Sequence, residues 1–372
     1  MSRPRILILT IPHGAAHQRV AAALRQALLD VEPGLTVEVV NALEHCARWF
    51  RAYYDSYEIP LKYWPSLWGW FEGKQHAHTS TGPGWLYRRG GRGLFRFIDR
   101  FAPDIVIATE VGTCELAAMH KREHGAKFFL VGATAGVDID RPWAQPEAGL
   151  YPVMPGEVAA QLASAGVPAE KILPCGVPID PAFGSLPDRH AARERLAIDP
   201  AQPLALVLFG GGGHGRPAEI IRQLGAVSLP FQAVLIAGRN RRLEEDVSAI
   251  CRDTPRFRVL GWVNNMHEWL AAADLLISKP GGMTVTEAIN SGVPLLAFDP
   301  LPGAERRACE LIEKWGIGFW VGKPEDLGPL VERLLSQPDQ LHALEENCRA
   351  LARPHAAREA AQAILERWRS ES

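Results

Sequence analysis

Short, continuous apolar runs alternate with helical patterns along most of the chain. Arg5 to Thr10 (RILILT) opens the series, and its consecutive apolar residues predict a parallel strand buried on both faces. A turn from Ile11 to His17 follows. An Ala- and Leu-rich stretch then predicts a helix over Arg19 to Leu29, and Gly34 to Val40 holds a second strand. This β-α-β order predicts a doubly wound domain, whose ligands bind beyond the carboxyl ends of the strands. The rhythm breaks between residues 41 and 100. It resumes with a strand over Pro103 to Thr109, ending at Glu110 to Thr113, and a helix over Cys114 to His124. A strand over Lys127 to Val131, a loop from Gly132 to Pro142, a strand over Leu150 to Val153 and a helix over Pro155 to Ala165 follow. Proline and glycine density down to Pro203 marks a hinge.

The second half repeats the architecture. Strands are predicted at Leu204 to Phe209, Phe231 to Ala237, Phe257 to Leu260, Leu275 to Ile277 and Pro294 to Phe298, with mostly helical sequence from Leu327 onward. Four glycines, Gly210 to Gly213, follow the first of these strands. Backbone N–H groups there can approach an anion closely, although the spacing is neither a P-loop nor GxGxxG. The strand at Leu275 turns on Pro280, Gly281 and Gly282 and opens a helix. Such a helix N-terminus suits a phosphate. Glu287 lies three residues after Thr284, on the same helical face, where a carboxylate can accept both hydroxyls of a ribose. Two readings fit this stretch: a nucleotide site, or an ordinary strand–turn–helix with a glutamate favoured by the helix dipole.

Composition narrows the class. A chain of 372 residues suits two domains, and a net charge of −2 gives no sign of a nucleic-acid partner. Six scattered cysteines with no CxxC point to free thiols in a reducing compartment. No run approaches the ~20 apolar residues of a membrane span, and the short N-terminal run is not a signal peptide. The expected location is therefore cytoplasmic. Residues 41–100 add a second expectation. Five of the six tyrosines fall here, with Trp64, Trp68, Trp70 and other aromatics, and nine Lys and Arg against five Asp and Glu give the window +4. Trp and Tyr favour the headgroup level of a bilayer, and anionic lipid attracts basic side chains. The window, with Trp64, Trp68, Trp70, Arg88 and Arg89 as its contacts, is read as an acceptor and membrane surface. The plainer alternative is an aromatic core with solvated arginines.

The order of motifs carries a resemblance. Gly14 to His17, Pro103-Asp104, Gly176 to Ile179 with Phe183, Gly210 to Gly213, Gly238 to Asn240, Gly261 to Val263, Lys279 to Thr284 with Glu287, and Gly292 to Pro294 occur in sequence. This resembles the monogalactosyldiacylglycerol synthase and processive diacylglycerol glucosyltransferase group of glycosyltransferase family 28, with MurG a more distant relative. The resemblance implies an α/β GT-B fold, two Rossmann-like domains facing a cleft, with the C-terminal helix returning to the first. Its domains would span residues 1–178 (acceptor side, with the insertion at 41–100), 179–355 (UDP-sugar side) and 356–372 (helix).

The resemblance also implies roles. Glu287 would bind ribose, Gly281, Gly282, Met283 and Thr284 the diphosphate, Gly211, Gly212 and Gly213 the cleft side of the donor, and Val263 the uracil. Arg239 would stabilise the leaving diphosphate, and Glu305 would reach the sugar hydroxyls. The expected reaction is inverting transfer of a hexose from a UDP-sugar to a lipid hydroxyl, diacylglycerol first. His17 is the first candidate base, Glu110 the second and Asp140 the third. No cofactor and no metal are expected: Asp138 to Asp140 spell DxD, but this fold uses dipoles and cations. Departures fall mainly on the acceptor side and on sugar selection. Ala135 stands where the family has an Asp, Asp140 where it has a His, and Ala304 and Ala308 where it has Gln and Asn. They keep other readings open: a UDP-sugar epimerase on the same fold, a transferase with a soluble or polyprenyl acceptor, or a binding protein that has lost catalysis.

Overall fold

The computed structural model describes residues 3–13, 15–56, 80–209 and 216–371. The chain divides into two compact units, one comprising Met1–Pro181, Pro302–Ala304 and Arg353–Ser372, the other Ala182–Leu301 and Glu305–Ala352.

The first unit contains β1 (Arg5–Thr10), α1 (Ala15–Val31), β2 (Thr36–Asn41), α2 (Arg48–Asp55), α3 (Gly84–Gly90), α4 (Arg92–Phe101), β3 (Ile105–Ala108), α5 (Val111–His124), β4 (Phe129–Gly132), β5 (Ala148–Pro152), α6 (Glu157–Ser164) and β6 (Ile172–Leu173). Its sheet is parallel in the order β2-β1-β3-β4-β5-β6, with Ile8 opposite Ile107. Ile6 to Leu9 and Ile105 to Ala108 are fully buried, which explains their unbroken apolar runs. The strand order reverses between β1 and β3, the position where such sheets bind ligands.

The second unit contains α7 (Arg189–Leu196), β7 (Leu204–Leu208), α8 (Pro217–Gly225), β8 (Gln232–Ile236), α9 (Arg241–Cys251), β9 (Phe257–Leu260), α10 (Met266–Ala272), β10 (Leu275–Ser278), α11 (Gly282–Ser291), β11 (Leu295–Phe298), α12 (Ala304–Lys314), β12 (Gly318–Val321), α13 (Leu327–Ser336) and α14 (Pro338–Leu351). Its parallel sheet runs β12-β11-β10-β7-β8-β9 and reverses between β7 and β10. The core joins Val207, Leu235 and Ile277 from the sheet to Leu224 of α8 and Val331 of α13. The last helix, α15 (Ala356–Glu371), belongs to the first unit. It packs on α1, with Arg369 paired to Glu32 and Arg367 Nη2 donating to the Glu170 carbonyl at 2.7 Å.

Several boundaries differ from the sequence reading. Helix α1 starts at Ala15, four residues early, so His17 sits in its first turn and not in the turn before it; Ala15 and Ala16 are strong helix formers. Helix α5 starts at Val111 because Glu110 caps it. The stretch read as a hinge holds α7, whose N-cap Asp188 accepts from the Ala191 N–H at 2.9 Å. Strand β12 went unrecognised because Gly318 to Val321 is short and only partly buried.

Candidate active site

Each unit gathers its chemistry at the reversal point of its sheet. In the first, Thr109 follows β3 and its N–H donates to the Leu9 carbonyl at 3.0 Å, which fixes the end of β3 beside the end of β1. The Thr109 carbonyl then receives His17 Nδ1 at 2.7 Å. A carbonyl only accepts, so Nδ1 carries the proton and Nε2 is left with its lone pair. Burial lowers the His17 pKa from its ordinary value. The Thr109 contact opposes that shift and His13 adds to it. His13 itself pairs with Asp55 at 3.0 Å, Nε2 to Oδ1, tying the β1–α1 loop to α2.

Glu110, the next residue after Thr109, is 7 % exposed. Its two oxygens accept from the N–H groups of Gly112 and Thr113, each at 2.9 Å, and cap α5. Burial pushes its pKa up to about 7 against the opposing pull of those two bonds. Tyr54 lies so close that a Cβ on Gly112 would stand 1.8 Å from its hydroxyl. Any side chain there would force Tyr54 to move.

From Tyr54 a hydrogen-bonded chain runs through the buried layer. The Tyr54 and Tyr87 hydroxyls lie 2.9 Å apart, Tyr87 meets Thr81 Oγ1 at 2.5 Å, and Thr81 donates from Oγ1 and N to Glu115 at 2.5 and 3.0 Å. Ser80 also donates to Glu115. Glu115 is 4 % exposed and accepts all three of these donors. The tyrosine pKa values rise, first through burial and then through Glu110. Sequence reading missed this network, since no local pattern joins residues 54, 81, 87 and 115. Asp138, of the DxD triplet, accepts from Gln161 Nε2 at 2.7 Å. Among the described residues no group of three or more His, Cys, Asp or Glu is placed to hold a metal ion.

In the second unit Ser278 Oγ donates to the Leu208 carbonyl at 3.1 Å and ties the end of β10 to the end of β7. Gly281 is the N-cap of α11 and supplies no side-chain cap. Among the described residues a Cβ built on it would meet nothing within 4 Å. The first-turn N–H groups of Gly282, Met283 and Thr284 belong to this terminus. Met283 is buried, and Glu287, one turn further on, is 5 % exposed. A carboxylate is rarely so enclosed unless it is paired. The sequence-predicted Gly281, Gly282, Met283, Thr284 and Glu287 therefore fall on the N-cap and first two turns of α11.

Other sequence-predicted residues sit apart from that turn. The Arg239 guanidinium lies 4.0 Å over the ring of Trp262, which follows the edge strand β9. Trp262 Nε1 donates to Asn264 Oδ1 at 2.7 Å, and partly buried Val263 lies between them in sequence. Arg239 is thus directed toward the β9 edge. Glu305 Oε2 accepts from the Leu301 N–H at 2.6 Å and closes the loop that enters α12. Gly211, Gly212, Gly213, Trp64, Trp68 and Trp70 lie outside the described residues.

Helices α2 and α3 carry the described part of the aromatic and basic window. Their inner faces meet through Phe50 and Tyr87, edge to face at 5.3 Å. Trp49, Tyr53 and Trp85 are exposed on them. Arg88 is bidentate to Glu123, from Nε and Nη2 at 2.6 Å each, so its charge is neutralised within the fold. Arg89 is exposed. No described helix is long and apolar enough to cross a membrane.

Known proteins resemble this chain in sequence and in fold. The family described as monogalactosyldiacylglycerol (MGDG) synthase matches residues 17–179, and that described as glycosyl transferases group 1 matches residues 218–351. A processive diacylglycerol beta-glucosyltransferase of Staphylococcus saprophyticus is 24 % identical over 94 % of this chain and 90 % of its own length. Among solved structures, MurG of Acinetobacter baumannii superposes with a TM-score of 0.64 at 16 % identity, covering 98 % of this chain and 99 % of that one. A UDP-GlcNAc 2-epimerase of Neisseria meningitidis bound to UDP-GlcNAc gives 0.63 at 14 % identity, covering 97 % and 100 %. At such identities the structural likeness shows the fold, which is GT-B as expected.

Proposed function

We propose that this chain, a GT-B glycosyltransferase with a monogalactosyldiacylglycerol synthase region followed by a group 1 glycosyl transferase region, moves a hexose from a UDP-sugar to the hydroxyl of diacylglycerol. The observation that carries the donor side is the N-terminus of α11, which has no side-chain cap and no neighbour of the Gly281 Cβ position among the described residues, with buried Glu287 behind it. The acceptor rests on the relatives, whose names specify diacylglycerol.

In this reading Glu287 accepts the ribose hydroxyls, and the α11 terminus stabilises the diphosphate as charge develops on it. Arg239 and Val263 serve the nucleobase end, beside Trp262, and Glu305 shapes the loop at the sugar. The lipid hydroxyl attacks the anomeric carbon while the bond to the β-phosphate oxygen breaks. The configuration inverts, the hydroxyl proton passes to His17 Nε2, and UDP departs. The Thr109 carbonyl keeps His17 in the tautomer this step needs, and the lowered pKa keeps it neutral near pH 7. Glu110 holds the N-terminus of α5 and is not needed as the base. No divalent ion takes part.

We place the reaction at the membrane surface on the cytoplasmic side. Exposed Trp49, Tyr53 and Trp85, with Arg89 nearby in sequence, support the membrane surface. The test is incubation with a panel of UDP-hexoses, with and without diacylglycerol vesicles. UDP release that requires the lipid is expected. UDP release without lipid would indicate a soluble acceptor, epimerised sugar nucleotide an epimerase, and donor binding without turnover a lapsed enzyme.

A further inference from the structure

A second arginine stands at the carboxyl ends of the strands in the UDP-sugar unit. Arg216 is the N-cap residue of α8, on the connection that follows β7. Its Nη2 lies 3.2 Å from Oδ1 of Asp299, and its guanidinium carbon lies 5.4 Å over the ring of Phe298. Phe298 ends β11, and Asp299 is the next residue. Strand β10 lies between β7 and β11 in the sheet. A link from the β7 side to the β11 side therefore passes over the carboxyl end of β10, where Gly281 opens α11.

The backbone around this pair is not relaxed. Asp299 has φ +52°, one of three non-glycine residues with positive φ among those described. Aspartate tolerates that region better than most residues, yet the conformation is still strained, and such strain collects at ligand sites. It aims the carboxylate at Arg216. Asp299 engages a single nitrogen of the fork, and the arginine side chain is 52 % exposed. The remaining N–H donors are therefore open to a second, anionic partner. Arg239, by contrast, is stacked on Trp262 toward the far edge of the sheet.

We propose that Arg216 is a phosphate-binding residue of the donor site, and that Asp299 and Phe298 are the positioning residues that hold its guanidinium over the α11 N-terminus. The proposal rests on the UDP-sugar reading given above. The two positive elements, helix terminus and guanidinium, then meet the diphosphate from different sides, and Arg216 would follow the charge onto the leaving UDP.

Calorimetric titration of the full chain with UDP and with uridine tests this. Wild type is expected to bind UDP. Arg216→Gln should weaken UDP binding roughly ten- to hundredfold, the range of a lost charge-assisted hydrogen bond, and leave uridine binding unchanged. Arg216→Lys should recover part of the loss, and Asp299→Asn should weaken UDP less than Arg216→Gln does. UDP affinity within twofold of wild type in Arg216→Gln overturns the proposal. Equal losses for UDP and uridine overturn it too, since they would reflect a change in the fold and not a phosphate contact. Wild type that binds neither ligand is a distinct outcome: it removes the UDP-sugar reading itself, and this proposal with it.

Discussion

His17 Nδ1 donates to the carbonyl of Thr109 at 2.7 Å, across 92 residues of sequence. The contact joins the helix that follows β1 to the end of β3, the two strands at which the first sheet reverses. It fixes both the position of the imidazole and which nitrogen bears the lone pair.

His17→Ala should therefore lower kcat by roughly 10²- to 10⁴-fold, the usual range for a general base, with UDP binding unchanged. Steady-state kinetics with a lipid acceptor, paired with calorimetry, separates the two. Near-normal turnover would remove His17 from the mechanism. The pH profile follows from the lowered pKa. Activity should persist below pH 6.5 and fall only as pH drops through the lowered value, where Nε2 becomes protonated.

Glu110 gives a stability prediction of opposite sign. Its pKa rises from 4.5 to about 7 on folding, so the folded state holds the proton more tightly. The associated stability is fully present below pH 4.5 and is lost as pH rises through about 7, up to roughly 3 kcal/mol. The difference in melting temperature between wild type and Glu110→Ala should be larger at pH 5.5 than at pH 8.5. A pH-independent difference would mean that Glu110 is ionised throughout.

The polar chain from Tyr54 to Glu115 should resist cutting. Tyr87→Phe removes a buried hydroxyl that contacts both Tyr54 and Thr81 and should cost about 1–3 kcal/mol. Chemical denaturation measures this. A cost below about 0.5 kcal/mol would show that the hydroxyls are satisfied by other means.

On the donor side, Glu287→Gln should raise the KM for the UDP-sugar about tenfold or more while altering kcat less. Its preference for UDP over 2′-deoxy-UDP should also shrink, since a carboxylate is needed to accept both ribose hydroxyls at once. Unchanged discrimination would place the ribose elsewhere.

Membrane attachment is testable by sedimentation with vesicles containing phosphatidylglycerol. Binding should weaken as salt rises, and Trp49→Ser with Trp85→Ser should reduce it further. No sedimentation at low salt contradicts the surface reading of α2 and α3.

The sheets were legible because parallel strands buried on both faces must be continuously apolar, as Ile6 to Leu9 and Leu204 to Leu208 are. The turn before α11 was legible for a related reason: Pro280, Gly281 and Glu287 lie within one strand–turn–helix. The first unit was harder to read. His17 stands out by its position, but its tautomer depends on Thr109. The environment of Glu110 depends on Tyr54, 56 residues earlier. Helix starts slipped by several residues because caps such as Glu110 act through backbone geometry that a hydrophobic pattern does not record. The ion pair of Arg216 and Asp299 spans 83 residues, and its place over β10 follows only from the strand order.

The central claim is hexose transfer to a lipid hydroxyl with inversion. It is tested most directly by incubating the protein with UDP-hexoses and diacylglycerol vesicles, and by recording the mass and the anomeric proton coupling of the lipid product. The account predicts a hexosyl-diacylglycerol in the β configuration, formed from an α-linked donor with release of UDP. An α-linked product, or consumption of the UDP-hexose with no sugar on the lipid, would contradict it.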